Sequence, residues 1–287
     1  MTSTPFDHSV AFSRSLGWLS EDELKKLQNS TVAIAGMGGV GGAHLLTLAR
    51  LGIGHFHLAD FDSFELPNFN RQAGSGMSTL GRNKLDVMIE KALDINPDLK
   101  ITKFSDGLNS KNIADFFKDV DLYVDGLDFF CFDLREEVFA YLHTHNIPAT
   151  TVAPIGMGAA LVNFLPGQMS FAEYFGFSQA TTEYEKAILF VIGLSPSAVQ
   201  RKYLVAPSHV NLKAHRVPSL PMSCEISAGV AGTEALKILL GRGGVKAAPH
   251  SFQFDAYYNR MIHRYMPWGY KNPLQRLKFF ILRKANL

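Results

Sequence analysis

Four charged side chains occur at spacings that could bring them to one nucleotide. Asp60 ends a short apolar run, Arg71 follows eleven residues later, Lys84 thirteen after that, and Asp128 lies within "YVDGLDFF". Two cations can neutralise the β- and γ-phosphates of a nucleoside triphosphate, and a carboxylate can hold Mg²⁺ together with phosphate oxygens. The pattern therefore favours chemistry on a triphosphate.

A glycine-rich turn precedes these residues. Gly36, Gly38 and Gly41 fit the pattern G-x-G-x-x-G directly after the apolar run 32–35. The first glycine permits a tight turn, the second lets a phosphate approach the backbone, and the third lets a helix and a strand pack closely. Asp60, nineteen residues after Gly41, suits an acceptor for ribose hydroxyls. These residues predict nucleotide binding, but on their own they fit NAD, FAD and ATP equally well.

The charged residues separate these nucleotides. An NAD site holds only a diphosphate and needs no metal, so it gives Arg71, Lys84 and Asp128 no role. A triphosphate attacked at its α-phosphorus needs its charge neutralised and its pyrophosphate leaving group held. Each residue also has a plainer interpretation, because a loop Arg or Lys is usually solvated and Asp128 could cap the helix that starts at Phe132. Taken together with the glycine turn, the set favours ATP.

Alternating segments predict the elements that position these residues. Strands are expected at 32–35, 55–60, 99–104, 120–125 and 147–154, and helices at 40–51, 80–95, 110–117 and 132–143. Strands that alternate with helices imply a mostly parallel, Rossmann-like α/β sheet with helices on both faces. The carboxyl ends of its strands face one crevice, where the charged residues would converge.

The second half of the chain departs from this alternation. "GAALVNFLPG" follows a strand after a very short turn, which predicts an antiparallel step. Residues 167–222 are rich in turn formers and predict a long crossover excursion away from the sheet. "SCEISAGVAGTEALKILLG", residues 223–241, predicts a helix of small residues that returns to the sheet. "HSFQFDAYY", residues 250–258, predicts a late strand, so antiparallel strands are expected toward the C-terminus.

These segments predict one domain over residues 1–287. Its parts are an N-terminal helical segment (1–30), a nucleotide-binding core (31–166), the excursion (167–222), the return helix and strands (223–265) and a basic tail (266–287). The net charge is only +2, so no nucleic-acid partner is expected. The N-terminus lacks a secretory apolar region, and no run approaches the roughly 18 apolar residues that cross a bilayer. A soluble cytoplasmic protein is therefore expected.

Several motifs together resemble a known family. "GMGGVGG", "LADFD", "NFNRQ", Lys84 and "DGLD" resemble, in order and spacing, the ThiF/MoeB-type adenylyltransferases, relatives of the ubiquitin-activating enzymes. The resemblance runs from about Arg14 to Pro166 and returns from Ile226 to Asp255. It implies an adenylation domain in which a carboxylate attacks the α-phosphate of ATP, releases pyrophosphate and becomes an acyl-adenylate. The carboxylate would be the C-terminus of a ubiquitin-like or sulfur-carrier protein or of a peptide; one carried by RNA stays open.

The resemblance also implies a role for each site residue. Gly36, Gly38, Gly39 and Gly41 would form the phosphate loop, and Asp60 would accept the ribose hydroxyls. Asn68, Arg71 and Gln72 would surround the triphosphate. Lys84 would be the phosphate lysine, and Asp128 would be the carboxylate that holds Mg²⁺. Family members commonly pair as homodimers in which an N-terminal Arg reaches the partner's ATP. Because "AFSRSLGWLSEDELKKL" is similar to that segment, Arg14 is expected to act in trans.

The two cysteines limit the chemistry. Many relatives hold a structural zinc with two CxxC pairs, and this chain has only Cys131 and Cys224, so no structural zinc is expected. Relatives that form a thioester or persulfide usually place a cysteine in the excursion, but residues 165–217 contain none. Cys224 could be activated by a helix N-terminus, although the small residues around it favour packing. Cys131 is expected in the core. We therefore expect an external nucleophile to consume the acyl-adenylate.

The basic tail and two other functions stay open. "NPLQRLKFFILRKANL" is typical of a terminal helix docked on its own core and, less often, of a helix that lies on an anionic membrane. The glycine turn and Asp60 alone would also suit an NAD(P)-dependent oxidoreductase. A catalytically silent subunit of a heterodimeric activating enzyme would share the fold, so the choice between homodimer and heterodimer is open as well.

Overall fold

The computed structural model describes residues 5–285 and shows an eight-stranded sheet with helices packed against it. The strands are β1 (Thr31–Ala35), β2 (His55–Ala59), β3 (Lys100–Phe104), β4 (Leu122–Asp125), β5 (Ala149–Ile155), β6 (Gly158–Phe164), β7 (His250–Asp255) and β8 (Arg260–Tyr265). The helices are α1 (His8–Ala11), α2 (Glu21–Gln28), α3 (Gly39–Leu51), α4 (Lys84–Ile95), α5 (Ile113–Phe116), α6 (Phe132–Thr144), α7 (Phe171–Phe175), α8 (Glu183–Leu194), α9 (Pro221–Leu240) and α10 (Pro273–Ala285). None of the described helices is long and apolar enough to cross a membrane.

The strand order is β3-β2-β1-β4-β5-β6-β7-β8. The first five strands run parallel, with Ala33 opposite His57 and Tyr123 opposite Ala149. β6, β7 and β8 continue the sheet in antiparallel fashion. The mostly parallel α/β sheet with antiparallel C-terminal strands is therefore confirmed. The strand order reverses between β1 and β4, and at such a switch point the carboxyl ends of the strands open a crevice.

Apolar clusters fill both faces of the sheet. Along β1, Ala33 and Ala35 belong to one cluster, while Val32 and Ile34 belong to the other. This division follows from the alternation of side chains across a strand. The first cluster is rich in aromatic rings from α6, α7 and α8, and the second is built from aliphatic residues of α2, α3, α4 and α9. The two layers bury both faces of the sheet whose strand ends border the crevice.

Two helices are shorter than the sequence predicts. The helix predicted over 80–95 corresponds to α4, which begins at Lys84. The side chain of Asn83 accepts a hydrogen bond from the amide of Asp86 and caps the helix there. The helix predicted over 110–117 is reduced to α5. There, the side chain of Asn112 accepts a hydrogen bond from the amide of Asn109 and donates one to the carbonyl of Gly107. These local hydrogen bonds compete with helix formation.

The excursion is more regular than its turn-rich sequence indicates. It includes α8, which is capped by the side chain of Thr182 and buried over most of its surface. A helix buried on nearly all sides lacks the one-sided apolar period that identifies a surface helix. The return helix α9 begins at Pro221, two residues before the predicted start. The strand predicted over 250–258 ends at Asp255, after which a turn leads into β8.

Candidate nucleotide-binding site

A cleft of about 290 Å³ opens at the carboxyl ends of β1, β2, β4 and β5. Its wall brings together predicted site residues from separate parts of the chain, namely Gly36, Gly38, Gly39, Asp60, Arg71, Gln72, Lys84 and Asp128. Residues 217–219 of the excursion and Cys224 of α9 complete the wall. Charged groups that are distant in sequence thus line one cleft beside the glycine turn.

The glycines of the turn have two different tasks. Gly36 has a φ of +91°, and a β-carbon there would lie 2.2 Å from the carbonyl oxygen of Gly126. A β-carbon at Gly41 would lie 1.9 Å from the carbonyl oxygen of Gly36. These glycines therefore let α3, β1 and the loop after β4 touch. At Gly38 the nearest atom to such a carbon is Nε2 of Gln72, at 3.7 Å, so this position faces the open cleft.

The N-terminus of α3 is directed at the cleft. Its N-cap residue is Gly38, which has no side chain to accept hydrogen bonds from the first amide groups of the helix. Those amides, together with the positive end of the helix dipole, form a binding site suited to a phosphate.

Asp60 is a buried carboxylate that joins β2 to the glycine turn. Its Oδ2 accepts a hydrogen bond of 2.6 Å from the amide of Met37, and its Oδ1 accepts one of 2.7 Å from the amide of Asp62. Burial raises the pKa of Asp60, although both hydrogen bonds oppose that rise. Because each carboxylate oxygen has a second lone pair, Asp60 can accept a ribose hydroxyl while it holds the turn.

Lys84 is a buried cation at the start of α4. Its Nζ donates to Oδ2 of Asp62 at 3.0 Å, and its amide donates to the carbonyl of Asp62 at 2.8 Å. The carboxylate of Asp62 is exposed, so the pair is open to solvent on one side. A phosphate in the cleft can therefore compete with Asp62 for the ammonium group.

Arg71 and Gln72 carry polar atoms that are available to a ligand. The two hydrogen bonds from the Arg71 guanidinium, to the carbonyl of Pro67 and to Oδ1 of Asn70, both come from Nη1 and measure 2.9 Å. Gln72 is only 7% exposed, and its Oε1 has no hydrogen-bond partner among the described residues. A buried acceptor without a partner costs free energy unless a ligand or water satisfies it. Oε1 of Gln72 can therefore accept a hydrogen bond from a ligand or from water in the cleft.

Three predicted site residues, Gly41, Asn68 and Arg14, lie outside the wall of the cleft. Asn68 is buried, and its Oδ1 accepts a hydrogen bond from the amide of Glu65, so its side chain shapes the loop that presents Arg71. Arg14 is exposed in a short 3₁₀ helix and does not line the cleft of its own chain. Its expected action on a partner's ATP stays a prediction.

Asp128 lies exposed at the rim of the cleft. Its Oδ1 accepts a hydrogen bond of 3.0 Å from the amide of Phe130, which shows that it caps a tight turn before α6. Mg²⁺ is commonly held by one or two carboxylates together with phosphate oxygens and water, and the exposed carboxylate of Asp128 fits that donor set. Among residues 5–285, no group of three or more His, Cys, Asp or Glu side chains could hold a metal ion.

The structure adds Arg135, which the sequence analysis missed. Arg135 donates from Nε to Oδ2 of Asp125 and from Nη2 to the carbonyls of Leu127 and Asp128. It therefore holds the whole loop that carries Asp128. The sequence indicates a buried Arg135 through its position on α6. It lies at helical spacing within an otherwise apolar face, which includes Phe132, Phe139 and Leu142.

Both cysteines lie in surroundings that raise the pKa of the thiol. Cys224 is buried, and its Sγ lies 3.2 Å from the position that a β-carbon of Gly39 would take. Burial raises its pKa, which outweighs the lowering by nearby Arg71. The sequence alternative of a pKa lowered by the helix N-terminus is therefore not supported. Burial also raises the pKa of Cys131, and Asp128 acts in the same direction.

The fold and the cleft define a Rossmann-like α/β domain with a charged site at its switch point. Residues 12–277 match the ThiF family, and the chain belongs to that family. This result confirms the resemblance that the motifs indicate.

Three curated relatives each match half of this chain or less, and the chain covers less than two thirds of the length of each. A tRNA threonylcarbamoyladenosine dehydratase of Bacillus subtilis is 35% identical over 125 residues, which are 43% of this chain and 49% of the relative. A probable adenylyltransferase/sulfurtransferase MoeZ of Mycobacterium tuberculosis is 36% identical over 112 residues, 39% of this chain and 29% of MoeZ. The sulfur carrier protein ThiS adenylyltransferase of Escherichia coli is 31% identical over 145 residues, 50% of this chain and 57% of that protein.

Solved structures confirm the fold over most of the chain. PaaA superposes with a TM-score of 0.68 at 19% identity and covers 92% of this chain and 85% of its own. E. coli MccB with ATP superposes with a TM-score of 0.63 at 19% identity and covers 88% of this chain and 69% of its own.

Proposed function

We propose that this protein is an adenylyltransferase that uses ATP to activate a carboxylate. One observation carries the proposal: the N-terminus of α3, Arg71, Lys84 and Asp128 converge on a single cleft. The names of the MoeZ and ThiS-adenylating relatives support the reaction class.

The cleft suggests where each part of ATP would lie. The ribose would meet Asp60, and the phosphates would lie over Gly38 and the first amides of α3. Arg71 and Lys84 would neutralise the phosphates and hold the leaving pyrophosphate. Asp128 would hold Mg²⁺, which supplies further positive charge to the phosphate oxygens.

The proposed reaction is an in-line displacement at the α-phosphorus. An oxygen of the substrate carboxylate forms a bond to that phosphorus, the bond to the β-phosphate oxygen breaks, and pyrophosphate leaves. The product is an acyl-adenylate. Negative charge develops on the leaving group, so cations placed at the phosphates lower the barrier. Arg14 of a second copy would add another cation, which requires a homodimer.

The cation pair distinguishes this proposal from NAD-dependent redox chemistry. A diphosphate nucleotide leaves Lys84 and Asp128 without a ligand. The side-chain amide of Gln72 lies beside the phosphate turn, with Nε2 3.7 Å from the position that a β-carbon of Gly38 would take. A silent partner subunit has no need for this set.

The acceptor is proposed as a carboxylate. The ThiS-adenylating relative acts on a sulfur carrier protein, and the dehydratase relative is named for a modified tRNA nucleoside. We favour the C-terminal carboxylate of a small carrier protein or peptide, because the chain has a net charge of only +2. A carboxylate carried by tRNA is the other outcome of the test below.

Pyrophosphate exchange tests the proposal. Labelled pyrophosphate should enter ATP when Mg²⁺ and the correct acceptor are present, and a panel should include a carrier protein ending in Gly-Gly, its peptide tail and modified tRNA. Arg71→Ala and Asp128→Asn should each reduce exchange by about 100-fold. Arg50→Ala, an exposed arginine at the far end of α3, is the matched control and should retain exchange. Absence of exchange with every acceptor, together with a thermal shift caused by NADH but not by Mg·ATP, would overturn the proposal.

A further inference from the structure

Helix α10 docks on the protein through one face only. Its inner face carries Gln275, Lys278, Phe279 and Leu282, which recur at helical spacing. The side-chain amide of Gln275 donates to the carbonyl of Ile192 at 2.9 Å, and Nζ of Lys278 donates to the carbonyl of Pro196 at 2.9 Å. These contacts fix α10 against α8 and determine which residues face away from the protein.

The outer face of α10 is apolar as well. Leu274 is 67% exposed, and Leu277, Phe280 and Ile281 are each 55% exposed. A terminal helix that only covers its own core places polar residues on this side. Trp268, which directly precedes the turn into α10, is also strongly exposed. The helix therefore presents an apolar face that is more than half exposed, which we call the α10 outer face (Leu274, Leu277, Phe280 and Ile281). Within it, Nζ of Lys284 lies 4.2 Å from the centroid of the Phe280 ring.

The chain after Asp255 carries formal charge of one sign. After Asp255 every formally charged side chain is positive, and these are Arg260, Arg264, Lys271, Arg276, Lys278, Arg283 and Lys284. Two acidic side chains of neighbouring helices lie near these cations. Oε1 of Glu185 lies 2.6 Å from Nε of Arg283, and Glu173 interacts electrostatically with Lys271. Two copies of such a face would repel each other across a two-fold axis, whereas an anionic partner would be attracted.

The apolar residues indicate the kind of anionic partner. Leu and Ile side chains do not stack on nucleic-acid bases. Their transfer out of water is favourable in free energy, so a face of Leu, Ile and Phe between cations suits the acyl chains that lie beneath lipid phosphate groups. A groove of about 800 Å³ also runs beside α10, and Leu277 and Phe280 of the outer face are part of its lining. Phe175, Leu189 and Ile192 line it, and Lys271 and Arg276 are part of its wall.

We propose that α10 lies on an anionic lipid bilayer with its outer face at the acyl-chain boundary. Leu277, Phe280 and Ile281 would enter the apolar region, while Arg276 and Lys284 would meet lipid phosphates. The protein would then bind the surface of a membrane without crossing it.

Vesicle co-sedimentation of the full chain tests this assignment. The protein should sediment with phosphatidylserine/phosphatidylcholine vesicles, should not sediment with pure phosphatidylcholine, and should be released by high salt. The variant Leu277→Gln/Phe280→Gln/Ile281→Gln should lose at least about tenfold in binding, because it removes the buried apolar area. Val205→Gln, which alters a side chain 98% exposed in the excursion, is the control and should bind like the natural protein.

Two further measurements keep the result unambiguous. The substituted side chains are largely exposed, so the triple variant should keep its melting temperature and its ATP-dependent activity in solution. Undiminished vesicle binding by the triple variant would overturn the proposal. So would binding to tRNA, or self-association lost in the triple variant, without binding to anionic vesicles.

Discussion

Arg135 and Asp125 form an ion pair beneath the candidate site, with Nε and Oδ2 2.9 Å apart and side chains only 2% and 3% exposed. Asp125 ends β4, and it also accepts a hydrogen bond from Oγ1 of Thr151 on β5. The arginine in turn donates to backbone carbonyls in the loop that presents Asp128. The position of Asp128, the proposed Mg²⁺ carboxylate, thus depends on the buried ion pair between Asp125 of β4 and Arg135 of α6.

Arg135→Leu is expected to lower the free energy of unfolding by about 3–5 kcal/mol, because it leaves Asp125 buried without its cation. Urea denaturation followed by circular dichroism measures this loss. The double variant Arg135→Leu/Asp125→Leu removes both charges and should recover part of the stability. A double variant less stable than Arg135→Leu would show that the unpaired carboxylate is not the main cost.

Two alanine substitutions in the glycine turn should have different effects. Gly41→Ala should lower the free energy of unfolding by about 1–3 kcal/mol or more, because its β-carbon would lie 1.9 Å from the carbonyl oxygen of Gly36. Gly38→Ala should leave folding nearly unchanged but weaken Mg·ATP binding by about tenfold, because its methyl group faces the cleft. Calorimetric titration with Mg·ATP and thermal melts separate the two effects. Equal effects of both variants on melting and on binding would contradict this division.

His44 should make the protein sensitive to acid. It is fully buried in α3, neither ring nitrogen has a partner among the described residues, and burial lowers its pKa from 6.5 to about 3. Below pH 6.5 the imidazole of His44 takes up a proton in the unfolded state but stays neutral in the folded state. The free energy of unfolding is therefore unaffected by this group above pH 6.5 and falls as the pH drops toward about 3. The loss should be about 1.4 kcal/mol per pH unit.

His44→Leu is the comparison that isolates this group. It should be as stable as the natural protein or more stable near neutral pH, and its stability should fall less between about pH 6.5 and about pH 5. Urea midpoints at several pH values measure the difference. Identical slopes for the two proteins would show that another group causes the acid sensitivity.

Cys224→Ala should keep both pyrophosphate exchange and product formation. The thiol is buried and its pKa is raised, so it is poorly suited to attack an acyl-adenylate. Assays of both steps with the natural acceptor and nucleophile check this expectation. Loss of product formation while exchange persists would show that Cys224 accepts the acyl group and that the external-nucleophile hypothesis is wrong.

Local patterns explain why much of the first half of the fold was predictable. The strand runs, the glycine turn and the apolar periods are set by neighbouring residues, so β1, α3 and β2 lie within a residue or so of their predicted bounds. The parallel order then places Asp60, Arg71, Lys84 and Asp128 at one edge by topology alone. α8 was missed because tertiary burial, not a one-sided period, stabilises it.

Long-range contacts account for the rest of the site. Arg135 contributes through carbonyl groups of a loop whose shape the sequence does not reveal. The role of Asn68 at the triphosphate stays a prediction. In the structure its buried Oδ1 accepts a hydrogen bond from the amide of Glu65, a loop contact that the sequence does not reveal. The apolar outer face of α10 became apparent only once the docking of the helix on α8 showed which side faces away.

Transfer of an oxygen isotope tests the central claim most directly. With an acceptor whose carboxylate is labelled with ¹⁸O, attack on the α-phosphorus and later cleavage of the acyl bond should leave one ¹⁸O in the AMP that is released, as measured by mass spectrometry. Arg71→Ala should form this labelled AMP about 100-fold more slowly. AMP without the label, or ADP as the product, would contradict adenylation of the carboxylate.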